Sequence, residues 1–327
     1  MSPPDDSQPA AVTIIAPGLT AYCGQVSARV GALADELPGS LRSPVRYLAE
    51  RPGKSLRPML VGACGWLGTP DPVRLARQGA VVELLHLASL LHDDILDQAA
   101  TRRGGPAAHT VFGRELATLA GLACFSLAGS EAADLGGAVS MLVGETVAAL
   151  SYGEILDLER AFDITLPVSA YLELAERKTA ELFRLSCALG AVEAQAPPGM
   201  AGPLARFGKH LGTAFQVLDD CLDLRASAGG KPAGTDHMLG LFGVPTLYAL
   251  ARDDTGELTR LLLSPGFSVT HMPEVRALVT ARGGLRAARR LARQQYRRAL
   301  SALADLPPGA GGDQLYLVAS LAWRDHS

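Results

Sequence analysis

Two short carboxylate clusters of identical spacing constrain this chain more than any other feature. One is Asp93-Asp94-Ile95-Leu96-Asp97 and the other is Asp219-Asp220-Cys221-Leu222-Asp223. Each closes an apolar run of helical character, residues 84–92 for the first and 211–218 for the second. Residues four apart share a helix face, so Asp93 and Asp97 project together, as do Asp219 and Asp223. Two such faces turned toward each other form an oxygen-rich, anionic cavity. Like charges held that close are costly unless cations neutralise them. Hard oxygen ligands suit Mg2+, which keeps several waters and takes one or two carboxylates plus substrate phosphates. One cluster alone reads equally well as a solvated helix face. Three acids ending a buried run, twice over, would be expensive without ligands. The pattern points to a site that holds a diphosphate through several metal ions.

Composition narrows the setting. The 327 residues suffice for one large domain or two ordinary ones. Hydrophobic residues make up 48% and aromatics only 5%, which supplies a sizeable core and favours helix packing over sheets. A net charge of -3 gives no reason to expect nucleic-acid binding. The five cysteines (Cys23, Cys64, Cys124, Cys187, Cys221) are scattered, with no C-x-x-C pair. That argues against a disulfide framework or a zinc site and for reduced thiols in a cytoplasmic protein. Residues 1–17 are polar and Pro-rich, a disordered tail rather than a signal peptide. The most apolar stretch, residues 116–129, is too short to span a bilayer, so a soluble protein is expected. There are four lysines against 26 arginines. Three of the four, Lys54, Lys178 and Lys231, fall in the short motifs described below, where a compact, flexible ammonium is useful.

Helical patterning covers 21–37, 41–50, a segment from 72 into the first cluster, 107–112, 115–126, 132–162, 168–189 and 203–224. It resumes at 245–252, 257–263, 273–280, 284–306 and 314–323. Residues 51–58 form a turn with three cations, and Pro58 is placed to start a helix. Residues 101–106 read as a basic loop and 225–236 as a Gly-rich loop. No β alternation is sustained, so a single all-α domain over 18–327 is expected.

In order and approximate spacing, these motifs resemble the trans-isoprenyl diphosphate synthases, the polyprenyl synthetase family, over about residues 45–325. The carriers are Gly53-Lys54-Ser55-Leu56-Arg57-Pro58, His86, the first cluster with Arg102-Arg103-Gly104, and Lys178-Thr179-Ala180. Phe215-Gln216, the second cluster and Gly230-Lys231-Pro232 complete the set. The resemblance implies an isoprenoid-synthase-type helical bundle around a central cavity. It implies that Lys54, Arg57, His86 and Arg103 cradle isopentenyl diphosphate without metal. Without the resemblance, His86 reads as a satisfied core histidine and Arg102-Arg103 as a helix C-terminal cap. Three Mg2+ ions are implied to bridge the allylic diphosphate to Asp93, Asp97 and Asp219, with Asp94, Asp220 and Asp223 as further ligands or their supports. Arg102, Lys178 and Lys231 are implied to neutralise its charge. Thr179 and Gln216 are implied to steady the allylic cation, and Phe215 to pack the wall.

The family's product tail descends a tunnel beside the first-cluster helix, floored by the residues four and five before the first Asp. Here these are Ser89 and Ala88, both small, with Leu84, Leu85 and Val81 below. A product longer than C15, leaning to C30 or more with C20 open, is expected. The chain departs from the family pattern at Leu122, where Asp is usual, and at Leu241 and Gly243, where Lys and Thr are usual. Two other readings stay open: a terpene cyclase on the same scaffold, and a subunit of a heteromeric synthase. By resemblance a cytoplasmic homodimer is expected, with transient membrane association for product release.

Overall fold

The computed structural model describes residues 17–51, 53–224, 234–306 and 312–324. The expected tail lies outside the described residues except for Pro17, and so does Lys231. In chain order the helices are α1 (Pro17–Asp35), α2 (Gly39–Ala49), α3 (Leu56–Gly65) and α4 (Pro72–Leu96). A two-stranded hairpin follows, β1 (Thr101–Arg102) and β2 (Gly105–Pro106). Then come α5 (Ala108–Phe112), α6 (Arg114–Leu135), α7 (Gly137–Glu159), α8 (Val168–Ala175), a π-helical turn (Glu176–Ala180), α9 (Glu181–Glu193) and α10 (Pro198–Asp223). The last third holds α11 (Thr235–Met238), α12 (Val244–Leu250), α13 (Glu257–Leu262), a 3-10 turn (Val269–His271), α14 (Met272–Ala281), α15 (Gly284–Ala304) and α16 (Asp313–Arg324). The all-α expectation holds.

The two cluster-bearing helices are the long ones, and their ends are fixed locally. At the start of α4, the Asp71 carboxylate accepts hydrogen bonds from the Val73 and Arg74 amides, at 2.8 and 3.0 Å, and Pro72 occupies the first turn. Its apolar face (Leu84, Leu85, Leu87, Ala88, Leu91) is fully buried. α4 packs on α1, α3, α6 and α9, while α10 packs on α9 and α15. α9 therefore sits between the two acidic helices and sets their separation. On the far side of α4, Glu131 of α6 receives Arg29 of α1 at 2.6 Å and Arg77 of α4 at 2.8 Å. Burial alone would raise this carboxyl, but the two guanidinium groups outweigh it and hold it at about 2.

Several boundaries differ from the sequence expectation. The helix expected at 132–162 is broken at Gly136, whose φ of 118° no helical residue adopts, so α6 ends and α7 begins there. Pro203 is inside α10, which starts five residues earlier than expected. The segment 168–189 is interrupted by the π-helical turn. The basic loop is a tight hairpin with Arg103 (φ 50°) and Gly104 (φ 76°) at its centre, the signature of a type I′ turn. The end of the Gly-rich loop, Thr235 and Asp236, belongs to the helix Thr235–Met238, and 225–233 lie outside the described residues. The apolar stretch 116–129 belongs to a longer helix. α6 and α7 are each long and apolar enough to cross a membrane by length and composition, with 39% and 33% of those windows buried. In the bundle, Ala117, Ala120, Cys124 and Ala128 of α6 are buried, and α6 packs against α4.

Gly212 marks a tight backbone approach near the site. A Cβ there would stand 2.6 Å from Ala180 Cα, at the junction of the π-helical turn and α9. We expect Gly212→Ala to lower stability by about 1–2 kcal/mol, because overpacking against backbone outweighs the roughly 1 kcal/mol gained in helix propensity. A urea midpoint equal to or above that of the unaltered chain would contradict this.

Candidate active site

The C-terminal ends of α4 and α10 open onto one cavity of about 510 Å³. Asp93, Asp97, Asp219, Asp220 and Asp223 line it, together with Lys54, Arg57, His86, Arg102, Arg103, Lys178, Thr179 and Gln216. The pairing of faces read from the four-residue spacing is present in both helices. Asp94 is the exception. It is buried below the cavity, where Arg102 reaches its Oδ1 from the hairpin at 2.7 Å through Nε.

The type I′ turn sends its two arginines to different tasks. Arg102 goes to Asp94. Arg103 donates to the carbonyls of Arg51 at 2.9 Å and Leu48 at 3.3 Å, and lies 3.8 Å from Glu83. Arg57 donates to His86 Nε2 at 3.2 Å and stacks over the Phe183 ring. The guanidinium can only donate, so His86 carries its proton on Nδ1. Burial pushes His86 well below the usual imidazole range, and the charges of Arg57 and Arg103 push the same way, so it is neutral. Burial also brings Arg57 down to about 10, which leaves it cationic at neutral pH. Lys54 also lines the cavity. The four residues of the expected cradle are therefore brought together, and all carry donors.

On the opposite wall the π-helical turn widens the helix and presents Lys178 and Thr179 to the cavity. Gly153 of α7 permits this, since a Cβ there would lie 2.9 Å from the Lys178 amide nitrogen. Lys178 Nζ bridges Asp157 at 2.7 Å and Glu154 at 3.1 Å. Burial alone would lower this ammonium, but Asp93, Asp157 and Glu154 outweigh burial and hold it well above the usual lysine range. Thr179 donates to Gln216 Oε1 at 2.6 Å, and Gln216 Nε2 donates to Asp220 Oδ1 at 2.9 Å. The Val244 amide donates to the other Asp220 oxygen at 3.1 Å. Asp223 accepts from the Gly234 amide at 3.3 Å, and His237 Nδ1 stands 3.3 Å from its second oxygen. Leu241 lines the cavity where the resemblance led to expect a cation. A Cβ on Gly243 would press 2.9 Å from the Asp220 carboxyl.

The carboxyls are strained electrostatically. Burial, with Glu154 nearby, raises Asp93 to about 7 despite Lys178 and Arg102. Burial raises Asp97 to about 6 and Asp220 to about 7. Oδ1 of Asp93 and Oδ2 of Asp94 are buried without a hydrogen-bond partner among the described residues. Among those residues no three His, Cys, Asp or Glu side chains stand close enough to hold a metal ion by themselves.

Five ionisable cavity residues escaped the sequence reading: Glu83, Asp157, Tyr171, Asp236 and His237. Glu83 was detectable, because 83, 86, 90, 93 and 97 form one continuous stripe of α4 at helical spacing. Asp157 carried a weaker signal, an acidic residue three after Glu154 in an otherwise apolar helix.

A sequence profile of the polyprenyl synthetase family matches residues 38–278. The chain belongs to the polyprenyl synthetase family. Among relatives, it is 32% identical over 282 residues to a nonaprenyl diphosphate synthase of Mycobacterium tuberculosis, covering 84% of this chain and 83% of that one. It is 31% identical over 272 residues to heptaprenyl diphosphate synthase component 2 of Geobacillus stearothermophilus, covering 82% and 85%. A polyprenyl synthase from Caulobacter crescentus, solved with calcium and isoprenyl diphosphate, superposes with a TM-score of 0.86 at 29% identity, over 98% of this chain and 100% of that one. The enzyme class expected from the motifs, a trans-polyprenyl diphosphate synthase, agrees with this membership.

The raised carboxyls give a signed prediction for this polyprenyl synthetase. A carboxyl whose folded pKa exceeds its unfolded value near 4 costs stability as pH climbs toward the folded value, and the full cost is felt above it. Asp93→Asn should therefore raise the stability of the metal-free chain at pH 8 by about 1 kcal/mol or more and leave it nearly unchanged at about pH 3.5, below the unfolded value. Thermal unfolding at both pH values checks this. An equal effect at both would remove the electrostatic account of Asp93.

Proposed function

We propose that the chain condenses isopentenyl diphosphate with an allylic diphosphate, with Mg2+ as cofactor, giving a linear trans-polyprenyl diphosphate longer than C15 and leaning to C30 or more. The observation that carries this reading is one cavity with two diphosphate environments, an acidic one that needs cations and a cationic one that does not. A terpene cyclase would have no use for the second. The donor set fits divalent metal. The buried, unpartnered oxygen of Asp93 is the environment a cation would relieve, and Mg2+ shared with phosphate oxygens needs no all-protein cage. The solved Caulobacter relative, complexed with calcium and isoprenyl diphosphate, supports the same assignment.

In this reading Asp93, Asp97, Asp219 and Asp223 hold Mg2+ ions, three by family resemblance, while Asp94 and Asp220 are braced by Arg102 and by Gln216 and Val244. When bound, the metal would supply charge neutralisation to the departing diphosphate, which favours ionisation of the C–O bond to an allylic cation. Lys178 neutralises further charge there, and Arg102 adds to the positive field; Lys231 is assigned the same role by resemblance. Thr179 and Gln216, hydrogen-bonded to each other on the cavity lining, are assigned by resemblance to steady the cation. Lys54, Arg57, Arg103 and the neutral His86 anchor isopentenyl diphosphate. Its alkene attacks the cation, forming the new C–C bond. A proton then leaves for the released diphosphate, which restores a double bond.

For chain length, Ser89 lines the cavity while Ala88 is buried in the neighbouring core, so Ser89 is the better floor candidate. The names of the mycobacterial and Geobacillus relatives point to long products. The second of these is named as a component, which keeps the subunit reading in view. A homodimer is supported by Leu119 and Leu122 of α6 and Met141 of α7, which remain exposed. We take the enzyme to be cytoplasmic and to meet a membrane only when its product leaves.

The purified chain alone, given isopentenyl diphosphate, Mg2+ and each allylic primer from C5 to C20, should yield a ladder ending in one long product, and chelation should abolish it. Hydrocarbon release from primer alone would favour the cyclase, and no turnover without a second chain would favour the subunit. Ser89→Phe should shorten the main product by at least one C5 unit; an unchanged product would sink the floor assignment. Light scattering should give twice the chain mass of 34.1 kDa, and Leu122→Asp with Met141→Asp should give the single mass. A double variant that stays dimeric would move the interface elsewhere.

A further inference from the structure

Outside the cavity, the strongest chemical signal is the solvent face of α15. Its buried side carries Ala287, Ala288, Ala292 and Ala299. Its outer side carries Arg286, Arg289, Arg290, Arg293, Arg297 and Arg298, all exposed, and no Asp or Glu occurs anywhere in Gly284–Ala304. At 1.5 Å per residue the stripe extends for about 18 Å. Many are three or four apart, where like charges destabilise a helix. Elsewhere the chain places carboxylates against its arginines: Arg29 and Arg77 with Glu131, Arg46 with Asp35, Arg184 with Glu181 and Arg206 with Asp305. Even Arg282, just before α15, lies 2.8 Å from Asp253. Among the described residues, none of the six stripe arginines makes an ion pair. A glutamate on the same helix would have been an easy remedy, so the unbalanced face asks for an external anion.

We propose that this face docks the enzyme on the anionic headgroups of a lipid bilayer. The helix is not built to insert, since its apolar side is spent on α10 and α12. Binding is therefore electrostatic and peripheral. The stripe holds no aromatic side chain on which bases could stack, which disfavours single-stranded nucleic acid. Charge complementarity favours a leaflet, a flat anionic surface matching a straight row of guanidinium groups. The reason for docking rests on the proposed function: a polyprenyl chain of thirty or more carbons has little solubility in water and must pass to a bilayer.

The test is sedimentation of the full-length chain with vesicles of phosphatidylcholine containing 30% phosphatidylglycerol, and with pure phosphatidylcholine vesicles, at about 0.1 M salt. The unaltered chain should bind only the anionic vesicles and release at 0.5 M salt. Each basic side chain near such a surface strengthens binding about fivefold, so Arg290→Gln with Arg293→Gln and Arg297→Gln should weaken it about a hundredfold. The same three changed to Lys should retain it. Neither triple variant should melt below the unaltered chain, the Gln variant being relieved of like-charge repulsion, and both should keep the unaltered rate of C5 transfer to a short primer. Equal binding to neutral and anionic vesicles, or unimpaired binding by the Gln variant, overturns the proposal. So does tighter binding to a DNA oligonucleotide than to the anionic vesicles. If C5 transfer is absent from every variant while the vesicle pattern holds, the docking face stands and the proposed reaction falls.

Discussion

Five carboxylates face one another across a single cavity at the C-terminal ends of α4 and α10. Those helix ends already carry the negative pole of the backbone dipole, where acidic side chains are ordinarily disfavoured. The arrangement is therefore costly three times over: through desolvation, mutual repulsion and the helix ends. It persists because the rest of the bundle leaves the two helices no alternative. α9 is wedged between them, Glu131 fastens α4 to its neighbours with two arginines, and α15 backs α10. The stability spent at the cavity is what makes it ready for cations and for a polyanionic substrate.

The two clusters share a spacing but are stabilised differently. In the first, the middle carboxylate turns away from the cavity and is matched by a full charge, Arg102. In the second, Asp220 faces the cavity and is held by dipoles: the Gln216 amide, the Val244 N–H and the Tyr171 hydroxyl. Asp94 has a full charge as its partner, whereas dipoles only partly offset the burial of Asp220, which rises to about 7. The pseudo-symmetry visible in the sequence is thus one of position rather than of electrostatics. The hydrogen-bonded line from Thr179 through Gln216 to Asp220 runs only on the second side.

Much of this was legible in the sequence because helices report themselves by periodicity. The four-residue spacing put Asp93 with Asp97 and Asp219 with Asp223, and the cradle of Lys54, Arg57, His86 and Arg103 lines the same cavity. Features set by backbone conformation were not legible. Gly136 breaks a helix that hydrophobicity carries straight through, while Pro203, where a helix was expected to start, is inside one. A type I′ turn centred on Arg-Gly lacks the usual Asn or Asp, so the hairpin read as a loop. Acids contributed by other elements, Asp157 and Asp236, could be placed at the site only once the tertiary packing was known. The cavity role of Leu241, in turn, gives physical content to a departure that the sequence exposes only as a missing lysine.

The π-helical turn at Glu176–Ala180 has an evolutionary side. A π-turn is a helix with one residue more than its hydrogen-bond ladder requires. Removing one residue there would return the segment to an ordinary α-helix and leave α8 and α9 in register with their neighbours. The core would survive, and the Lys178–Thr179 bulge would withdraw from the cavity. Packing and chemistry are thus carried here by separable amounts of chain. The geometry of that turn thus separates what the bundle needs for packing from what presents Lys178 and Thr179 to the cavity.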